Sequence, residues 1–223
     1  MRILEGKTAI FLGDSITEGA CASTIENRYV NIFSEITGAK IYNYGLGGTR
    51  IAYQIQPSLD EPQYDIYFAS RIFKMREEAD MVFVFGGTND YGHGDAPLGR
   101  LGDKTPLTFY GALYDLYSRL QKKYSKAQIF AITPLHFIDE EQEVNCRGAE
   151  RKGGLRAYVE AIKEVAKEFH IPVIDAFNDW DMKPIADKEN DPYFVADGLH
   201  PNDNGHKRIA EKLVEFLKSY IGR

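Results

Sequence analysis

The sequence predicts a doubly wound α/β domain built on a five-stranded parallel sheet. Three observations lead there. Short, nearly unbroken apolar runs recur along the chain, as in strands buried on both faces. Segments with apolar residues at helical spacing separate these runs. Polar clusters rich in Gly, Ser, Asn, Asp and His follow several runs directly, at the strand ends where an open α/β sheet opens its ligand crevice.

The first strand is "KTAIFLG", 7–13. A helix over 27–37 follows, with Tyr29, Val30, Phe33 and Ile36 along one face. "AKIYNYG", 39–45, is the second strand, and 65–78 the next helix. "ADMVFVFGG", 79–87, is an almost unbroken apolar third strand. Thr105 caps the following helix and Pro106 suits its first position, with Phe109, Leu113, Leu116, Tyr117 and Leu120 sharing a face. "AQIFAITP", 127–134, is the fourth strand. Leu155, Tyr158, Val159, Ile162, Val165, Ala166 and Phe169 mark a helix over 155–169. "IPVIDAF", 171–177, is the fifth strand. The last helix, 203–220, presents Ile209, Leu213, Phe216, Leu217 and Tyr220, with Asn202 or Asp203 as its cap. No repeat or linker interrupts this alternation, so 1–223 reads as a single domain. Two long polar stretches, 91–104 and 139–154, follow strands and are candidates to line or cover a site.

Composition narrows the function. A chain of 223 residues, 43% hydrophobic, can bury a core without covalent staples. A net charge of −6 argues against a dedicated nucleic-acid surface. The short basic piece 147–152 reads as solvated loop. No run approaches the roughly 18 apolar residues of a membrane span, and the opening residues lack a signal-peptide pattern. A soluble, cytoplasmic protein is the expectation. Cys21 and Cys146 do not make a disulfide framework, and neither CxxC nor HExxH occurs, so no metal site is expected. Apolar helix faces serve a homo-oligomer as well as a core, and the sequence leaves that open.

Four polar clusters carry the chemistry: Gly13-Asp14-Ser15, "NYGLGG" at 43–48, "GGTND" at 86–90 and "DGLHPN" at 197–202. Each alone could be an ordinary turn. Together they supply the parts of an acyl-transfer site. Ser15 is a hydroxyl nucleophile that needs an adjacent base. His200 can be that base, and Asp197, three residues earlier, can bond its other ring nitrogen and fix the tautomer. An oxyanion needs preorganised donors, which the Ser15 and Gly48 N–H groups and the Asn89 amide can provide.

On these blocks the sequence resembles the SGNH (GDSL-type) hydrolases, esterases and lipases. "GDS" with Ser15, the NxGxxG type of block with Gly48, "GTND" with Asn89 and DxxH with Asp197 and His200 occur in the family's order, spanning 13–206. The resemblance implies a flavodoxin-like, three-layer α/β/α sandwich and a cofactor-free carboxylic ester hydrolase. It also accounts for a nucleophile that precedes its base and for the missing GxSxG elbow.

The remaining polar residues have plainer readings. Asp14 and Asp90 hold their loops, Cys21 lacks a base of its own, His170 closes a helix, and His206 lies in the first turn of the last one. His136 sits on a loop near the predicted site. Tyr91, His93 and Tyr193 are candidates to contact substrate. The polar character of 91–104 and 139–154 favours a small acyl group, acetyl foremost, on a carbohydrate-like alcohol. The alternative is a lysophospholipase or thioesterase acting on longer chains. An inactive binding module would need a damaged site, and none of the key residues is replaced. A nucleotide- or flavin-binding protein would want GxGxxG or GxxxxGK(S/T) after the first strand, and neither is there.

Overall fold

The computed structural model describes residues 2–222. Five strands form one parallel sheet in the order β2-β1-β3-β4-β5. They are β1 Thr8–Gly13, β2 Lys40–Gly45, β3 Met81–Phe85, β4 Gln128–Ile132 and β5 Val173–Ile174. Alternate side chains leave opposite faces, so each buried strand feeds two cores. Ile10, Leu12, Val82 and Val84 pack beneath α5 (Phe109–Lys123) and α6 (Gly154–Glu168). Phe11, Phe83, Phe85 and Ile132 pack beneath α2 (Tyr29–Thr37) and α8 (Asp203–Ile221). The parallel register sets Phe11 against Phe83 and Phe83 against Phe130, and their rings stack at 4.8 and 5.0 Å. The result is the three-layer sandwich.

The helices follow from their apolar stripes and caps. Asn202 accepts from the Gly205 N–H at 3.0 Å to start α8, whose Ile209, Leu213 and Leu217 are fully buried. His206, one turn in, also lies in the core. Its Nε2 donates to the Ala20 carbonyl at 3.0 Å, and its ring stacks on Tyr29. The short helices are α1 Ser15–Glu18, α3 Phe68–Arg71, α4 Thr88–His93 and α7 Ala176–Asp179. Among the described residues no helix is long and apolar enough to cross a membrane.

Three elements depart from the sequence expectation. The helix expected over 65–78 breaks into a 3-10 turn Pro62–Asp65, the single turn of α3, and a second 3-10 turn Ile72–Lys74. The break has a cause: Arg71 turns inward and donates to the carbonyls of Tyr44 (2.7 Å) and Gly13 (2.9 Å) at the strand ends. The α5 cap is Thr108, not Thr105, because the Pro106 carbonyl is held outside the helix by the Tyr53 N–H at 2.8 Å. The fifth strand stops at Ile174, since the next residue, Asp175, turns to cap α7.

Candidate active site

The expected site residues meet at the carboxyl ends of β1, β2 and β3, where β1 separates chain excursions to either side. Gly13 ends β1 and makes the first turn possible. A Cβ there would lie 2.0 Å from Thr17 Oγ1, so only glycine lets the strand fold straight into α1. Asp14 caps α1 through the Ile16 N–H at 3.0 Å, which makes Ser15 the first helical residue. Its own N–H has no place in the helical ladder. Burial raises the Asp14 pKa to about 6, against the Ile16 bond and the charges of His200 and Arg71.

Ser15 Oγ lies 2.9 Å from His200 Nε2, and His200 Nδ1 lies 2.7 Å from Asp197 Oδ2. The other Asp197 oxygen accepts from the Leu199 and His200 N–H groups at 2.8 and 2.9 Å, so the tight turn itself aims the carboxylate at the ring. Burial works against the Asp197 charge, but the His200 ring bond and the two backbone bonds outweigh it and hold the carboxyl below its usual range. A carboxylate on Nδ1 leaves Nε2 as the acceptor that Ser15 needs.

Opposite this line runs the segment after β2. Gly48 adopts φ +70°, a left-handed conformation that suits glycine. Among the described residues the N–H groups of Gly48 and Ser15 have no protein acceptor. Asn89 stands on α4, and its Nδ2 donates to the Thr49 carbonyl at 3.0 Å, leaving its second N–H without a partner among the described residues. Asp90 takes the Ile51 and Ala52 N–H groups at 2.9 and 2.8 Å, tying α4 to the same segment. Burial raises its pKa to about 7 against those bonds and the nearby Arg50 and Arg151.

One substrate candidate, Tyr91, is corrected. Tyr91 is buried in the core, and its hydroxyl lies 2.8 Å from the carbonyls of both Asp139 and Gln142. His93 has both ring nitrogens occupied, by Asn89 and Arg50. Tyr193 packs half-buried against the core under α8. The basic piece 147–152 is not all solvated: Arg151 is 2% exposed and donates to the carbonyls of Tyr91 and Gly94. Asn145 adds a bond to Gly94 at 2.8 Å. The 139–154 loop therefore braces α4, while Asp95 in 91–104 takes the Ile55 and Gln56 N–H groups.

Sequence reasoning missed Tyr64. A Cβ on Gly48 would lie 2.0 Å from its Cε1, so the Tyr64 ring rests directly on Gly48, and it stands 5.4 Å from the His93 ring. Arg50, fully buried behind His93, was missed as well. Among the described residues no group of three or more His, Cys, Asp or Glu converges as metal ligands would.

A parallel sandwich with a Ser–His–Asp line at its strand ends has the architecture of a serine-type hydrolase. Residues 11–208 match the GDSL-like Lipase/Acylhydrolase family, and the chain belongs to it. It is thus a carboxylic ester hydrolase. A Lactobacillus plantarum protein of known structure is 31% identical and superposes with a TM-score of 0.79 over 96% of this chain and 98% of its own. The lipase/acylhydrolase from Enterococcus faecalis is 21% identical, with a TM-score of 0.61 and 96% of each chain covered. A member of the lipolytic protein G-D-S-L family from Veillonella parvula is 23% identical, with a TM-score of 0.61 over 93% of this chain and 96% of its own. These last two likenesses are of fold. No curated protein sequence matches the chain.

Proposed function

We propose that the chain removes a small acyl group, acetyl foremost, from a polar, carbohydrate-like alcohol by way of an acyl-enzyme. The observation that carries this reading is the unbroken line from Asp197 through His200 to Ser15, facing backbone donors that have no partner among the described residues. Ser15 Oγ adds to the ester carbonyl carbon while His200 Nε2 takes its proton, and Asp197 stabilises the imidazolium. The carbonyl oxygen becomes the oxyanion received by the Ser15 and Gly48 N–H groups and the second Asn89 N–H. Collapse expels the alcohol, which leaves with the proton from His200. Water then repeats the addition on the Ser15 ester, His200 again acting as base, and the carboxylic acid departs.

The Tyr64 ring on Gly48 supports a small acyl group, because it narrows the space beside the donors. The exposed Glu18 carboxylate, bonded to the Gly47 N–H at 2.9 Å, supports a polar leaving group. A second reading, an acylhydrolase for longer chains, draws on Leu59 and Ile66, which flank Tyr64 in sequence and are 87% and 43% exposed. Initial rates on p-nitrophenyl acetate, butyrate and octanoate, beside an acetylated oligosaccharide, separate the two. Rates falling with chain length, and levelled by Tyr64→Ala, fit the first reading. Rates rising toward octanoate in the unaltered protein support the second and overturn the first.

A further inference from the structure

We propose that His93, held by Arg50, is a positioning residue for ester hydrolysis that fixes which way the Asn89 side-chain amide faces. The inference rests on reading Asn89 as an oxyanion donor. An amide side chain can sit in a site in two orientations, and only one offers its spare N–H where a donor is needed. In the observed orientation Nδ2 donates to the Thr49 carbonyl at 3.0 Å and Oδ1 lies 3.1 Å from His93 Nε2. His93 follows Asn89 by four residues on α4, so the two share one face of the helix.

The orientation is decided by where the His93 proton sits. Arg50 Nη2 and Nε lie 2.5 and 3.1 Å from His93 Nδ1. A guanidinium carries only donors and stays charged, so Nδ1 must be the lone-pair nitrogen and the ring proton must be on Nε2. That proton points at Asn89 Oδ1. A reversed amide would set N–H against N–H at His93 and oxygen against oxygen at Thr49. Both buried mismatches oppose the reversal, and the spare Nδ2 N–H stays available for the oxyanion.

Arg50 cannot easily turn away. Its side chain is 1% exposed, and it donates to Asp65 Oδ1 at 3.2 Å, Ser58 Oγ at 3.3 Å and the His93 carbonyl at 3.1 Å. Asp65 is itself fixed by the Ser58 N–H at 2.8 Å. The 3-10 turn that brings Asp65 to Arg50 also brings Tyr64 onto the outer face of His93. Burial and the facing charges of Arg50, Arg147 and Arg151 push the His93 pKa down to about 4, so the ring is neutral at neutral pH.

A residue that aims an oxyanion donor acts on the transition state, so kcat should carry its effect and KM should not. Two variants separate aiming from bulk. His93→Gln keeps a carbonyl oxygen for Arg50 and an N–H for Asn89. His93→Leu fills the space with neither. We expect His93→Leu to lower kcat on p-nitrophenyl acetate about 10- to 100-fold with KM held within about twofold, and His93→Gln to recover most of the loss. The decisive comparison repeats both substitutions beside Asn89→Ala, where His93→Leu should change kcat by less than about twofold. An equal loss in both backgrounds overturns the inference, because His93 would then act without Asn89. An unchanged kcat in Asn89→Ala alone removes the oxyanion reading itself, and this inference with it. If His93→Leu does not fold, His93→Gln decides: kcat within about tenfold of the parent supports the inference, and any larger loss overturns it.

Discussion

Replacing Gly48 by Ala puts a methyl group where the structure has an aromatic ring. The added Cβ would sit 2.0 Å from Tyr64 Cε1 and 2.1 Å from Cδ1. Carbon atoms rest about 3.5–4.0 Å apart, so ring and loop must separate by more than about 1 Å. The backbone adds its own penalty, since φ +70° costs an L-residue roughly 1–2 kcal/mol. In a domain of this size each kcal/mol lowers Tm by about 2–4 °C, so strain alone predicts a fall of about 2–8 °C. The fate of the Gly48 N–H depends on which side yields. If the Tyr64 ring swings out, the donor stays in place. If the 46–49 segment shifts, a donor worth about 10²–10³ in kcat moves away from the oxyanion. Because the ring also packs on His93, both sides should yield in part, and kcat on p-nitrophenyl acetate should fall about 10- to 100-fold. Adding Tyr64→Ala removes the clash but not the backbone strain, so it should return part of both Tm and kcat. Circular dichroism melts and steady-state rates read the two quantities. Wild-type kcat in Gly48→Ala would refute the expected shift of the 46–49 segment and show that the ring alone yields, and strictly additive losses in the double variant would refute the ring contact.

Other expectations follow from the same geometry. Asp197→Asn removes the acceptor that fixes the His200 tautomer; with the Asp197 side chain 44% exposed, water can substitute in part, so kcat/KM should fall by about 10²–10³ rather than the ~10⁴ of an enclosed triad, as steady-state kinetics would test. Arg151→Leu strips the donors from the Tyr91 and Gly94 carbonyls and should lower stability in urea by about 2–4 kcal/mol, with Arg151→Lys restoring little because a point charge cannot reproduce the planar fork; a loss under about 0.5 kcal/mol would count against the brace. For Asp14 the folded pKa, about 6, lies above the ordinary aspartate value of 3.8. The folded chain therefore holds a proton that the unfolded chain releases, and stability contributed below pH 4 is lost as pH rises through 6. Asp14→Asn keeps the cap without the charge, so its stability relative to the parent should improve by about 2–3 kcal/mol between pH 4 and 7; a difference independent of pH would mean that the buried carboxyl ionises freely.

Much of this molecule was legible in its sequence because the relevant signals are local. The run Ala9–Leu12 can only be a doubly buried strand, and Asn202 three residues before Gly205 is a cap that needs no distant partner. The four motif blocks were legible for a related reason: parallel strands deliver their carboxyl ends to one edge, so motifs far apart in sequence converge there. What escaped depends on partners that no local pattern announces. Arg50, Arg71 and Arg151 look like solvated charges, yet each is drawn inside by groups remote in sequence, the Tyr91 carbonyl that Arg151 reaches being 60 residues away. Arg71 is also why an apolar stretch that suits a helix over 65–78 is broken into turns. Tyr91 lies beside Asn89 in sequence, but its side chain leaves the opposite side of α4 and ends among Phe137 and Tyr158 in the core. Adjacency to a motif was mistaken there for adjacency to the site.

The central claim is that Ser15 is a nucleophile activated by His200. Labelling with a fluorophosphonate, followed by peptide mapping in a mass spectrometer, tests it most directly, since the reagent forms its phosphonyl bond only with an activated hydroxyl. The account predicts one adduct, on Ser15, formed in step with loss of ester hydrolysis, absent in Ser15→Ala and strongly slowed in His200→Ala. An adduct on another residue, or a Ser15→Ala protein that still hydrolyses p-nitrophenyl acetate at the parent rate, would contradict it.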